Sequence, residues 1–164
     1  MKLGYIMMDD PGVLDTTLAH IAQDLLEQGK HVSGVVQINT ERRKDHKCDM
    51  DVKVLPDGPT ICISQSLGAG ASGCRLNPDA LETAVELVSK DIEDGSDILL
   101  INKFGKHEAE GRGFRELIGK ALAKDIQVLV GLNGLNKPAF HEFAEGLETE
   151  VDATKVLDWV STQA

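Results

Sequence analysis

Basic side chains are scarce. The chain of 164 residues holds 17 Lys and Arg against 27 Asp and Glu, a formal net charge of −10. Nucleic-acid binding draws on a basic face to neutralise phosphates, so this balance disfavours it. An acidic surface favours solubility, and any anion site must come from a local basic cluster working against the global field. Cysteine is scarce as well. Cys48, Cys62 and Cys74 are odd in number and match no zinc spacing; they read as reduced thiols of a cytosolic protein. No apolar run approaches the roughly 18 residues of a membrane span. The N-terminus turns acidic at Asp9 and Asp10, too soon for a signal peptide. A cytoplasmic chain without membrane insertion is expected.

What is present is an ordinary globular composition, 41% hydrophobic and 27% charged, which suits one domain over 1–164. Residues 2–8 read as a short apolar strand. Leu14, Leu18, Ile21 and Leu25 repeat at helical spacing, so 12–28 reads as a helix stopped by Gly29. Val32–Ile38 is a second strand, rich in β-branched residues, and 40–47 a polar connection. Alternation from Asp49 to Leu55, the Asp57-Gly58 turn and Thr60–Ser64 predict an antiparallel hairpin over 48–66 at a sheet edge. A glycine-rich stretch, 68–76, leads to Asn77-Pro78, a cap and first residue of a helix whose buried face is Leu81, Val85, Val88 and Ile92. Asp97–Asn102 and Ile126–Leu132 read as buried strands. Phe114, Ile118 and Leu122 mark a helix between them, and 137–145 and 152–162 two more. Strands alternating with helices predict a three-layer αβα fold with a mainly parallel sheet. On such sheets ligands bind at the carboxyl ends of the strands, here 9–16, 37–43, 65–75, 102–115 and 133–136.

Three of these segments carry chemical signals. The first, Met8 to Thr17, sits where a phosphate-binding loop sits. A working loop reads G-x-x-x-x-G-K-[ST], glycines for backbone N–H contacts and Lys for charge. With Thr16 in the hydroxyl position, Asp15 falls where the Lys belongs. Asp9, Asp10 and Asp15 would repel a triphosphate, and they read as helix capping or, less simply, as a metal cluster. The second, Gly68-Ala69-Gly70-Ala71-Ser72-Gly73, matches G-x-G-x-x-G but opens no helix until Pro78 and is followed by no acidic strand end. The dinucleotide reading is therefore rejected; a loop closing on a ligand with Cys74 and Arg75 is the functional alternative. The third, Asn102 to Arg115, follows a buried strand and holds Lys103, Lys106, Arg112 and Arg115 against Glu108 and Glu110, net +2 in an acidic chain. It reads as an anion-binding loop, with Arg suited to oxyanions. The plainer reading is a solvated loop with ion pairs such as Lys106 with Glu110. His107 with Glu108 could form an acid–base pair; His20, His31 and His141 read as structural or surface residues.

Gly34-Val35-Val36-Gln37, Gly73-Cys74-Arg75-Leu76-Asn77 and the long block from Asn102 to Phe114 together resemble a bacterial family of unknown function, DUF2478. Its members are often encoded beside, or fused to, molybdate transporter components. The layout is also similar to that of small nucleoside-triphosphatases of the nucleotide-kinase group. The resemblance implies a P-loop nucleoside-triphosphatase-like fold, with a degraded P-loop and the inserted hairpin. In those enzymes the strand before the block ends in Asp-Glu, followed by Gly and Glu; here Asn102-Lys103 stand in the first two places, while Gly105 and Glu108 remain.

The expected function is therefore the holding of a small anion or nucleotide, with a link to molybdate or molybdenum metabolism suggested by the company the family keeps. Lys103, Lys106, Arg112 and Arg115 would neutralise charge. Gln37 and Asn102 would offer neutral hydrogen bonds, Gly12 and Thr16 helix N-terminal contacts, Gly105 a close backbone approach, and Cys74 and Arg75 the facing loop. The alternatives are a divergent nucleoside-triphosphatase or nucleotide kinase, with Lys103 replacing the lost loop lysine, Glu108 activating water and Mg²⁺ as cofactor, and a module docking on a transporter ATPase. Pairing with a second copy is left open.

Overall fold

The computed structural model describes residues 2–38, 51–65 and 75–161. The polar connection at 40–47, most of the glycine-rich stretch, and Cys48 and Cys74 lie outside these residues. The elements follow the chain as β1 (Leu3–Met7), α1 (Pro11–Glu27), β2 (Val32–Ile38), β3 (Asp51–Leu55), β4 (Thr60–Cys62), β5 (Ser64–Gln65), β6 (Arg75–Leu76), α2 (Pro78–Glu93), β7 (Ile98–Ile101), α3 (Lys106–Ala109), α4 (Arg115–Ala123), β8 (Gln127–Leu132), α5 (Lys137–Ala144), β9 (Glu148–Glu150) and α6 (Val156–Ser161), the last preceded by a 3₁₀ turn at Ala153–Lys155.

One sheet runs in the order β4-β3-β2-β7-β8-β1-β9. From β2 to β9 the pairs are parallel; β3 and β4 are antiparallel and form the expected hairpin at the edge. β5 and β6 make a separate two-stranded pair. Strand alternation sorts the core into two layers. Val35, Val52, Leu99, Ile101, Val128 and Val130 pack under α2, α4 and α5. Val32, Val36, Ile98, Leu100 and Leu129 pack under α1 and α6. This is the three-layer αβα arrangement, and no helix among the described residues is long and apolar enough to cross a membrane.

The helix starts follow their sequence signals. Asp10 accepts from the N–H groups of Gly12 and Val13 at the head of α1. Asn77 does the same for Asp79 and Ala80 at the head of α2, with Pro in the first turn of both. Such caps stabilise a helix by roughly 1 kcal/mol each. Gly34 has a physical reason to be glycine. Its φ is +123°, and a Cβ there would lie 1.8 Å from the Leu100 carbonyl oxygen across the β2–β7 pair, so a side chain would part the two central strands.

Three sequence expectations need correction. The 102–115 segment is no plain loop, because Lys106–Ala109 closes one helical turn. The last helix is shorter than 152–162 and begins only after the 3₁₀ turn. β9 was not expected; its Glu-Thr-Glu has weak strand propensity and is held by parallel pairing to Leu3–Tyr5.

Candidate functional site

The alternation of β7 extends past its end and divides the basic block between two faces. Ile98 and Leu100 face α1, while Leu99 and Ile101 face α2. Asn102 continues the first series. Its Nδ2 donates to Asp15 Oδ1 on α1 at 2.8 Å, and its Oδ1 accepts from the Gln37 N–H at the end of β2, also at 2.8 Å. Asn102 and Asp15 are 3% and 6% exposed. The two positions that would carry a loop lysine and a strand-end acid thus carry a carboxylate and an amide that bond to each other. Lys103 continues the second series and lines a cleft on the α2 side.

The rest of the block alternates between anchors and cleft residues. Phe104 is fully buried, its ring 5.2 Å from Phe140 and 5.4 Å from Phe143, and its N–H donates to Gly131 O. Glu108 is 4% exposed. Its Oε1 accepts from Gly105 N–H at 2.8 Å and its Oε2 from Phe114 N–H at 3.1 Å, so one carboxylate ties both ends of the segment. Burial pushes the Glu108 carboxyl above its ordinary pKa, while those N–H bonds and the nearby His107 pull it back. Gly113 makes room for it, with φ +61° and a hypothetical Cβ 1.8 Å from Oε2. Arg115 was expected to neutralise a ligand. Instead its guanidinium donates to the Glu108 and Ala109 carbonyls and lies over the Phe143 ring. It caps α3, does not line the cleft, and serves the scaffold.

The cleft measures about 760 Å³ and opens at the carboxyl ends of β2 and β7. Val35, Val52, Ile63, Leu81, Ile101 and Phe114 form an apolar floor. Lys103, Lys106, His107 and Arg112 stand on one rim and Asn133, Leu135 and Asn136 on another, with Gln37, Asn102, Gly105, Glu108 and Glu110 also bordering it. Arg112 pairs with Glu110, and this contact, first among its neighbours, lowers the Glu110 pKa. The expected Lys106–Glu110 ion pair is thus replaced by Arg112–Glu110. Among the described residues neither Lys103 nor Lys106 pairs with a carboxylate.

The first loop is separate from this cleft. Gly12 and Thr16 border a shallower hollow with Asp10, Val13 and Thr17. Asp10 occupies the N–H groups of Gly12 and Val13, and Asp9 Oδ1 accepts from Gly134 N–H at 3.0 Å. The three aspartates thus hold their own chain together and do not form a metal cluster; no group of three or more potential ligands occurs among the described residues. Of the remaining candidates, Arg75 is described only as a backbone partner of Gln65 in the small sheet. The apolar floor and the 133–136 rim were not singled out residue by residue. Their signal was placement: Asn133 follows a buried strand, and Leu135, 86% exposed, is an apolar residue in a polar turn.

The model of a family described as "protein of unknown function (DUF2478)" matches residues 3–159. A molybdenum import ATP-binding protein, ModC 2 of Bradyrhizobium diazoefficiens, is 38% identical over 136 residues; these are 83% of this chain and 15% of that protein, so the chain spans only a small part of its relative. Among solved structures, THEP1 from Aquifex aeolicus superposes with a TM-score of 0.68 at 14% identity, over 99% of this chain and 100% of that one. A human cancer-related nucleoside triphosphatase gives 0.68 at 16% identity, over the whole of both chains. At that identity the likeness establishes the P-loop nucleoside-triphosphatase-like fold, mainly parallel and with the hairpin at one edge.

Proposed function

The chain belongs to the DUF2478 family, and from that premise and the form of the cleft we propose that it binds a nucleotide-like anion without hydrolysing it. The observation that carries this reading is an apolar floor beside Lys103 and Lys106, which form no close ion pair among the described residues, at the carboxyl ends of parallel strands. A volume of about 760 Å³ falls in the roughly 300–1,000 Å³ range of small-molecule sites. It exceeds what a bare oxyanion fills. A molecule with a flat apolar part and a charged end suits both halves. The ATP-binding name of the Bradyrhizobium relative and the triphosphatase title of one structural neighbour support a nucleotide.

Hydrolysis is a different demand. Phosphoryl transfer relies on a loop lysine and a metal to neutralise developing charge. Asp15 and Asn102 hold those places and bond to one another, and both oxygens of Glu108 accept main-chain N–H groups. Calorimetry with nucleotides, phosphate, molybdate and tungstate, run beside a phosphate-release assay, tests the reading. Nucleotide binding with no turnover is expected, and Lys103→Ala with Lys106→Ala should weaken it at least tenfold. Turnover that disappears in Lys103→Ala would establish the enzyme reading instead.

A second reading draws on the Bradyrhizobium relative, in which a match to this chain forms part of a larger import protein. That occurrence supports docking on a transporter ATPase and a link to molybdate uptake. Failure to co-purify with such a protein, with and without nucleotide, would end it.

A further inference from the structure

We infer that the 133–136 loop reads the base of the ligand, with the Asn133 amide nitrogen as donor, the Asn136 amide oxygen as acceptor and Leu135 packed on the face of the ring. This rests on the nucleotide reading above and deepens it by naming the residues that select the uncharged half of the ligand and the kind of ring they take.

Two hydrogen bonds orient the two amides. The Asn136 main-chain N–H, which can only donate, meets Asn133 Oδ1 at 3.1 Å. The same oxygen accepts from Asn136 Nδ2, also at 3.1 Å. The main-chain donor therefore fixes which end of the Asn133 amide is the oxygen, and that oxygen fixes the Asn136 amide in turn. Asn133 is left with Nδ2 as a donor, and Asn136 keeps Oδ1 as an acceptor. Neither atom has a partner among the described residues. Neither is sealed from water, because Gln127 Oε1 is the one buried side-chain polar atom without a partner there.

The loop stands where a base would rest. It leaves the sheet from β8, beside β7, and Asn133, Leu135 and Asn136 line the cleft along with Val35, Val52 and Ile101 of its floor. Asp9 Oδ1 accepts from Gly134 N–H at 3.0 Å, so the turn is held from the end of β1 as well as by its own amides. A site ordered before binding spends less affinity on ordering. Leu135 is 86% exposed and belongs to neither core layer; a ring lying against it removes apolar surface from water. Each common nucleobase sets an acceptor beside a donor on its pairing edge, which answers the donor and acceptor of the loop. A ligand without such a ring leaves both amides unanswered.

The test is calorimetry on the full chain with the 5′-monophosphates and triphosphates of adenosine, guanosine, cytidine and uridine in Mg²⁺ buffer. Ribose 5-phosphate and inorganic triphosphate are their base-free counterparts. The best nucleotide should bind about tenfold or more tightly than its counterpart. Asn133→Ser keeps an oxygen for the Asn136 N–H but removes the Nδ2 donor, and Asn136→Ser removes the Oδ1 acceptor. Leu135→Ser removes the apolar face at an exposed position, where it does not disturb the core. Each variant, checked for native melting, should weaken the nucleotide by roughly fivefold or more and leave the base-free counterpart within twofold. Variants that hold the nucleotide within twofold, or that weaken both ligands equally, as a loop that only shapes the wall would, overturn the inference and leave the nucleotide reading standing. No nucleotide bound, or none bound more tightly than its base-free counterpart, would overturn both.

Discussion

Asn102→Asp is expected to destabilise the protein by about 2–4 kcal/mol at neutral pH and by far less in acid. The substitution is nearly isosteric, so volume plays little part. The new carboxylate keeps an acceptor for the Gln37 N–H but loses the Nδ2 donor that Asp15 uses at 2.8 Å. Two buried carboxylates would then face each other, and such a pair does not ionise fully; one pKa rises strongly. The sign follows from linkage. A carboxyl whose folded pKa is raised binds more protons folded than unfolded. The penalty is therefore small below the ordinary aspartate pKa and grows as pH climbs through the raised value. Urea unfolding between pH 4 and pH 8 measures it. The swapped double variant, Asp15→Asn with Asn102→Asp, restores a donor opposite an acceptor and should recover most of the loss. Equal stability of Asn102→Asp and the parent at every pH would show that the pair contributes nothing.

The same pair marks the limit of what the sequence makes legible. Asp15 in a lysine position and Asn102 in an acid position are each visible as departures. That they answer one another is not, because the residues are far apart in sequence and only the packing of α1 on β7 joins them. The layers were legible, since apolar alternation in β7 and the Asn77-Pro78 cap speak through local physics. Lys103 was legible in a stronger sense than charge alone: it shares parity with Leu99 and Ile101, and parity gives its face. Arg115 was misleading for the converse reason. A sequence shows that an arginine is charged but not that the carbonyls of Glu108 and Ala109 and the Phe143 ring will hold it. Glu108 invited a catalytic role through its place in the block. Its burial, with N–H groups on both oxygens, is a property of the turn formed by Gly105, Gly111 and Gly113.

That turn carries the other large effect. Gly113→Ala should cost on the order of 3 kcal/mol and abolish ligand binding together with it. Two terms add. A non-glycine residue at φ +61° is strained by roughly 1–2 kcal/mol. The added Cβ would also sit 1.8 Å from Glu108 Oε2, so the carboxylate must leave. Its departure strands the N–H groups of Gly105 and Phe114, each in a charge-assisted bond of about 1.5–3 kcal/mol, partly regained by water once the segment opens. Lys103, Lys106 and Arg112 ride on this segment, so the rim loses its geometry as the clamp opens. Denaturant unfolding measures the first effect and calorimetry the second. Amide exchange should show lost protection at Gly105 and Phe114. A double-mutant cycle isolates the cause. Glu108→Ala alone also strands both N–H groups, but it removes the atom that Gly113→Ala collides with. In that background Gly113→Ala should cost only its backbone strain. The full cost in both backgrounds would mean that the glycine is needed for φ alone and that Glu108 does not clamp the rim.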